Sequence, residues 1–101
     1  MNIKFSYLYR DSGNYKRFGD VIFSNPNNLT ILDMEHLIRS KLIDGEWFYA
    51  QDWGLPNLHF EDWDEDLDHG FHEFESLSYS KENSNSKISL SDFFKILQST
   101  N

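Results

Sequence analysis

An α+β domain is predicted, with a small antiparallel sheet of about four strands in ββαββα order and two helices on one face. Three patterns carry this reading. The first 24 residues alternate apolar and polar side chains on either side of a turn cluster. Two later segments repeat apolar residues at three- and four-residue steps, the spacing of one helix face. Between those helices lie two aromatic-rich stretches of strand character.

Ile3, Phe5, Tyr7 and Tyr9 alternate with Lys4, Ser6, Leu8 and Arg10, the period of a half-buried strand. Asp11-Ser12-Gly13-Asn14 makes a turn, because Gly and Asn accept positive φ. The chain returns as a second strand over Lys16 to Ser24, with Val21 and Phe23 on one face and Ile22 on the other. Gly19 within it marks a bulge or the close approach of another backbone.

Asn25-Pro26-Asn27-Asn28 stops that strand, and Thr30 with Asp33 forms a weak capping box. Ile31, Met34, Leu37, Ile38 and Leu42 then line one helix face, with Glu35 and Arg39 paired on the solvent side. Gly45 is placed to end the helix in a left-handed cap. Trp47-Phe48-Tyr49, within Glu46 to Gln51, reads as the third strand. Asp52 to Gly70 shows no sustained period and reads as a long loop, ordered by Trp53, Phe60 and Trp63.

Phe71 to Tyr79 alternates again as a fourth strand, with His72, Phe74, Ser76 and Ser78 sharing one side. Residues 81–87 (KENSNSK) are expected to form a mobile polar linker. A last helix follows, capped by Ser89 or Ser91 and striped by Leu90, Phe93, Phe94 and Leu97. The 101 residues have room for one domain and one core.

Charge is distributed unevenly. Between Leu42 and Ser80 lie eleven carboxylates and no lysine or arginine, together with nine of the seventeen aromatics. Acidic disordered tails are poor in aromatics, so this stretch reads as folded surface with an anionic face. A formal charge of −8 opposes direct binding to nucleic acid or anionic membranes, and favours basic proteins or cations. The absence of cysteine rules out disulfides, thiolate metal sites and Cys nucleophiles. The N-terminus lacks the apolar segment of a secretory signal, and no window approaches a membrane span. A soluble cytoplasmic protein starting near Met1 is the expectation.

No nucleophile elbow, phosphate-binding loop or dinucleotide fingerprint occurs, so the expectation is a protein that is not an enzyme and uses no cofactor. The leading expectation is a protein-binding module or inhibitor that presents acidic and aromatic side chains to a basic partner, for example a toxin or a nucleic-acid-binding protein. Trp53, Trp63 and Phe71 would be its anchors, and Asp62, Asp64, Glu65, Asp66 and Asp68 its field. The alternative is a divalent cation such as calcium, in the acidic loop 62–75. Asp64, Asp66, Asp68 and Glu75 occupy positions 1, 3, 5 and 12 of a calcium-binding loop, although His69 stands where that loop requires glycine. His59, His69 and His72 lie among the acids but lack a recognised metal-binding spacing.

Lys4-Phe-Ser-Tyr-Leu-Tyr-Arg-Asp11, Gly13-Asn-Tyr-Lys16 and Val21-Ile-Phe-Ser-Asn-Pro26 are similar to segments of a family of short, acidic, uncharacterised bacterial proteins. Leu42-Ile-Asp-Gly45, Gly54-Leu-Pro56, Asp68-His69 and His72-Glu-Phe74 extend the resemblance over nearly the whole chain. That family has no assigned activity. The resemblance implies a bacterial, cytoplasmic, single-domain protein and carries no functional residue with it.

Overall fold

A computed structural model describes residues 1–64, 66 and 68–100. The fold is α+β: a four-stranded antiparallel sheet in the order β2-β1-β4-β3, with two helices on one face. The strands are β1 (Asn2–Arg10), β2 (Lys16–Phe23), β3 (Trp47–Phe48) and β4 (His72–Ser80). The helices are α1 (Ile31–Lys41) and α2 (Leu90–Ser99). A 3-10 turn over Ala50–Trp53, outside the expected ββαββα order, stands between β3 and β4.

β1 is central and paired on both sides, and its alternation appears in burial on the helix-covered face, with Leu8 buried on the other. Ile3, Phe5, Tyr7 and Tyr9 are each at most 1% exposed. The turn after β1 closes because Asp11 Oδ1 accepts the N–H groups of Gly13 and Tyr15, while Asn14 takes φ +67°. Tyr7 pairs with Gly19, Phe5 with Val21 and Ile3 with Phe23, which sets the apolar rows of β1 and β2 on one face. The pairing runs through Gly19 without a bulge; the close neighbour is a side chain, and a Cβ added there would stand 2.9 Å from Leu58.

α1 buries Met34 and Ile38, and Thr30 Oγ1 caps it by accepting the Asp33 N–H. The helix ends at Lys41, three residues before the turn that holds Gly45. Asp44 and Gly45 both take positive φ in a tight reversal, where Ile43 and Trp47 exchange two backbone hydrogen bonds. Gly45 therefore launches β3 and does not cap the helix. In α2 the cap is Ser89, whose Oγ accepts the Asp92 N–H while Asp92 Oδ2 accepts the Ser89 N–H. Leu90, Phe93 and Leu97 enter the core, and the Phe93 ring stacks 4.6 Å from Phe23.

β3 has two residues, where the aromatic run Trp47-Phe48-Tyr49 suggested more. The 3-10 turn diverts the chain, burying Ala50 and stacking Trp53 on Phe48 at 4.4 Å. β4 also departs from straight alternation. Ser6 pairs with Ser76 and Tyr7 with Phe74, so Glu75 is an unpaired extra residue in a bulge. The bulge puts His72 and Phe74 on the same face as Leu77, which pairs with Phe5.

Residues 81–88 contain no helix or strand. The segment is tied to both sheet and helix: Lys4 meets Glu82 at 2.6 Å, Asn85 exchanges two hydrogen bonds with the Ile22 backbone, and the Leu90 N–H reaches the Ser24 carbonyl. Ile22, on the face opposite the helices, is 5% exposed. No helix among the described residues is long and apolar enough to cross a membrane.

Candidate functional site

The helices cover one end of the sheet; the other end is covered by the loop from Gly54 to Phe71. Three core-facing side chains fasten that loop. The Tyr7 hydroxyl donates to the Pro56 carbonyl at 2.6 Å, and the Tyr9 hydroxyl donates to the His69 carbonyl at 2.6 Å. The Leu58 N–H donates to His72 Nε2 at 3.0 Å. Trp63 then closes a second link, its indole N–H donating to the Tyr9 hydroxyl at 2.9 Å. Burial, reinforced by the charge of Asp20, pushes the Tyr7 phenol up to about 12, so it stays a donor at any physiological pH.

Two hollows result. The larger, about 530 Å³, lies at the β3 edge and is lined by Arg10, Glu46, Trp47, His69, Phe71 and Glu73. Trp47 and Phe71 stack there at 6.1 Å with their planes 24° apart, and Tyr49 lies 4.8 Å from Phe71. Glu73 accepts from Arg10 at 2.8 and 3.3 Å, so its charge is met inside the groove. Glu46 and the neighbouring Asp44 are exposed.

The smaller hollow, about 260 Å³, lies between the 3-10 turn, the loop and the start of β4. Tyr49, Gln51, Asn57, His59, Trp63 and His72 contribute to its walls. Trp63 lies 4.9 Å from His59 with planes 4° apart, and His59 lies 5.1 Å from His72, so three flat rings form one stack. His72 is 1% exposed. Burial, with the nearby His59 adding, depresses its pKa to about 4; the Gly70 carbonyl opposes that shift without making a bond of good geometry. Burial also lowers His59. Both rings are therefore neutral at pH 7.

The expected site residues separate in space. Trp53, expected as an anchor, is 2% exposed and packs between Phe48, Phe5 and Phe93, so it belongs to the core and cannot meet a partner. Trp63 and Phe71 are half-buried and reach the two different hollows. Asp62, Asp64 and Asp66 are exposed. Glu65 lies outside the described residues.

Asp68 is half-buried and works as a loop staple, accepting the N–H groups of Asp64 at 2.9 Å and Ser12 at 2.8 Å. Those two bonds, Asp64 first, hold its carboxyl below the usual range. Asp64 in turn accepts the Asp66 N–H, and Glu75 sits in the β4 bulge. Among the described residues no three His, Asp or Glu side chains are grouped to hold a metal ion. The imidazoles instead serve the backbone: His69 Nδ1 accepts the Phe71 N–H, as His72 Nε2 accepts that of Leu58.

Trp47, Tyr49 and Tyr9 were not singled out for the site by sequence pattern, and His59 was marked only as a histidine among acids without a metal-binding spacing. His72 carried a readable signal, since it shares a strand face with Phe74. The others depend on the path of the loop, which no periodicity encodes. No protein-family model, curated protein or solved structure matches this chain.

Proposed function

We propose that this chain is a non-enzymatic binding module that receives a basic protein segment at its acidic, aromatic face. The observation that carries the reading is the groove of about 530 Å³ in which Trp47 and Phe71 stack beside Glu46 and Glu73. An arginine or lysine side chain laid over either ring gains a cation–π contact, and the exposed carboxylate of Glu46 supplies its counter-charge. Asp44, Asp62, Asp64 and Asp66 add an outer anionic field that steers encounter. The anchors of this face are Trp47, Tyr49 and Phe71, with Trp63 at its border.

A toxin or a nucleic-acid-binding protein has the basic surface such a face would cover, in keeping with a small cytoplasmic bacterial inhibitor. The rings of His59, His69 and His72 bond to backbone groups and, among the described residues, not to carboxylates, which supports a role without acid–base chemistry. Cation binding through Asp64, Asp66, Asp68 and Glu75 has no comparable geometric support.

The test is capture from a bacterial lysate on three baits: wild type, Trp47→Ala, and a variant with Glu46→Gln and Asp62, Asp64 and Asp66 changed to Asn. A basic protein retained by the wild type alone, and released between low and about 0.5 M salt, is the expected result. Identical retention by all three baits refutes this face as the interface.

A further inference from the structure

The smaller hollow holds a chemistry that the acidic groove does not. Among the described residues its lining includes no aspartate, glutamate, lysine or arginine, and it shares no lining residue with the groove. At its wall is a buried imidazole with one nitrogen engaged and the other idle. His72 Nε2 accepts the Leu58 N–H, so in the neutral ring the proton resides on Nδ1. Among the described residues that buried Nδ1 has no hydrogen-bond partner of good geometry, the Gly70 carbonyl lying nearby but poorly aligned. Buried donors are almost always paired, and one so poorly met beside a hollow favours a better-placed acceptor entering from that hollow.

We propose that this hollow is a second binding site, for a small uncharged planar heterocycle whose carbonyl or ring nitrogen accepts the His72 Nδ1–H. Three observations define that class. The wall formed by the Trp63, His59 and His72 rings is flat and aromatic, which suits a planar guest. The exposed amide of Gln51 can pair at two points with the edge of a heterocycle, as amide side chains do with bases, and Asn57, whose Oδ1 accepts the His59 N–H, can add its amide N–H. The volume of about 260 Å³, the share of about nine water molecules at about 30 Å³ each, is large enough to admit a single nucleobase. A phosphate-bearing guest is disfavoured by the net charge of −8 and by the absence of any cationic lining among the described residues.

The experiment uses the full chain with uniformly ¹⁵N-labelled histidine and tryptophan, titrated with uracil, cytosine and hypoxanthine. Indole, planar but without an acceptor, is the control. Saturable shifts of the His72 Nδ1–H and Trp63 Nε1–H signals are expected with at least one base at millimolar concentration, and no Nδ1–H shift with indole. His72→Phe should weaken binding about tenfold, the equivalent of one hydrogen bond. Because that variant alters a buried position, Gln51→Trp provides the second arm: it fills the hollow from an exposed residue and should abolish the shifts in a folded protein. The proposal is overturned if none of the three bases shifts the Nδ1–H signal, if indole shifts it equally, or if Gln51→Trp leaves the shifts intact. It is equally overturned if the Nδ1–H shows contact with a resident water that no base displaces, since a buried water then satisfies the donor.

Discussion

The buried imidazole of His72 should make this protein acid-sensitive well above the range where carboxylates titrate. In the unfolded chain a histidine titrates near 6.5; in the fold His72 does so at about 4. Between those values the unfolded state binds a proton that the native state refuses, so stability falls as pH falls. It is fully present above 6.5 and its loss is complete below about 4. At 1.36 kcal/mol per pKa unit the gap is worth about 3 kcal/mol. The ring borders the smaller hollow, and screening there reduces the figure to about 2 kcal/mol.

Urea unfolding of the wild type and of His72→Phe at pH 7 and pH 4 isolates this contribution. The wild type should lose about 2 kcal/mol more than the variant over that interval. Asp68 and Glu82, both held low by hydrogen bonds, also lose stabilisation near the bottom of the range, but equally in both proteins. His59 acts in the same direction as His72 and is present in both. The variant will be less stable at pH 7, because the Leu58 N–H loses its acceptor, but the pH dependence is the measured quantity. Parallel pH profiles for the two proteins would refute the assignment of a neutral buried imidazole.

Three further perturbations probe the frame around the hollows. Tyr9→Phe removes the hydroxyl joining Trp63 to the His69 carbonyl; stability should fall by about 1–2 kcal/mol, and limited proteolysis should cut faster within residues 59–70. Phe93→Ala empties the site between Phe23, Phe5 and Trp53 and should cost about 3–5 kcal/mol by thermal or urea unfolding. Ser89→Ala breaks the reciprocal cap of α2 and should cost about 1 kcal/mol, with no effect on binding in the acidic groove.

What was legible in the sequence follows from where local pattern and tertiary environment agree. The β1–β2 hairpin was readable because β1 is central, so its period of two maps onto burial without exception at Ile3, Phe5, Tyr7 and Tyr9. The last helix was readable for the same reason, with a cap and a stripe pointing to one answer. The run 47–53 was not, because strand-favouring aromatics there serve three ends: Phe48 in a two-residue strand, Tyr49 partly exposed, and Trp53 swung into the core by a 3-10 turn. A single unpaired residue, Glu75, defeats any reading of β4 as uniform alternation. Acidity was visible as composition, but which aromatics stand beside the acids is settled by the hydroxyls of Tyr7 and Tyr9, 49 and 60 residues from their acceptors in sequence.

The clasp of Asn85 on Ile22 has a consequence for how molecules of this protein meet one another. β2 is an outer strand, and an outer strand with open backbone groups invites a neighbouring molecule to extend the sheet. At Ile22 both outward groups are already taken, the N–H by the Asn85 amide oxygen and the carbonyl by the Asn85 N–H. At the opposite border β3 offers only two residues, and the reversal from Ile43 folds back upon it. A hydrophilic stretch with little to contribute to the core thereby occupies the outer edge of β2 at Ile22, where a neighbouring strand would otherwise add.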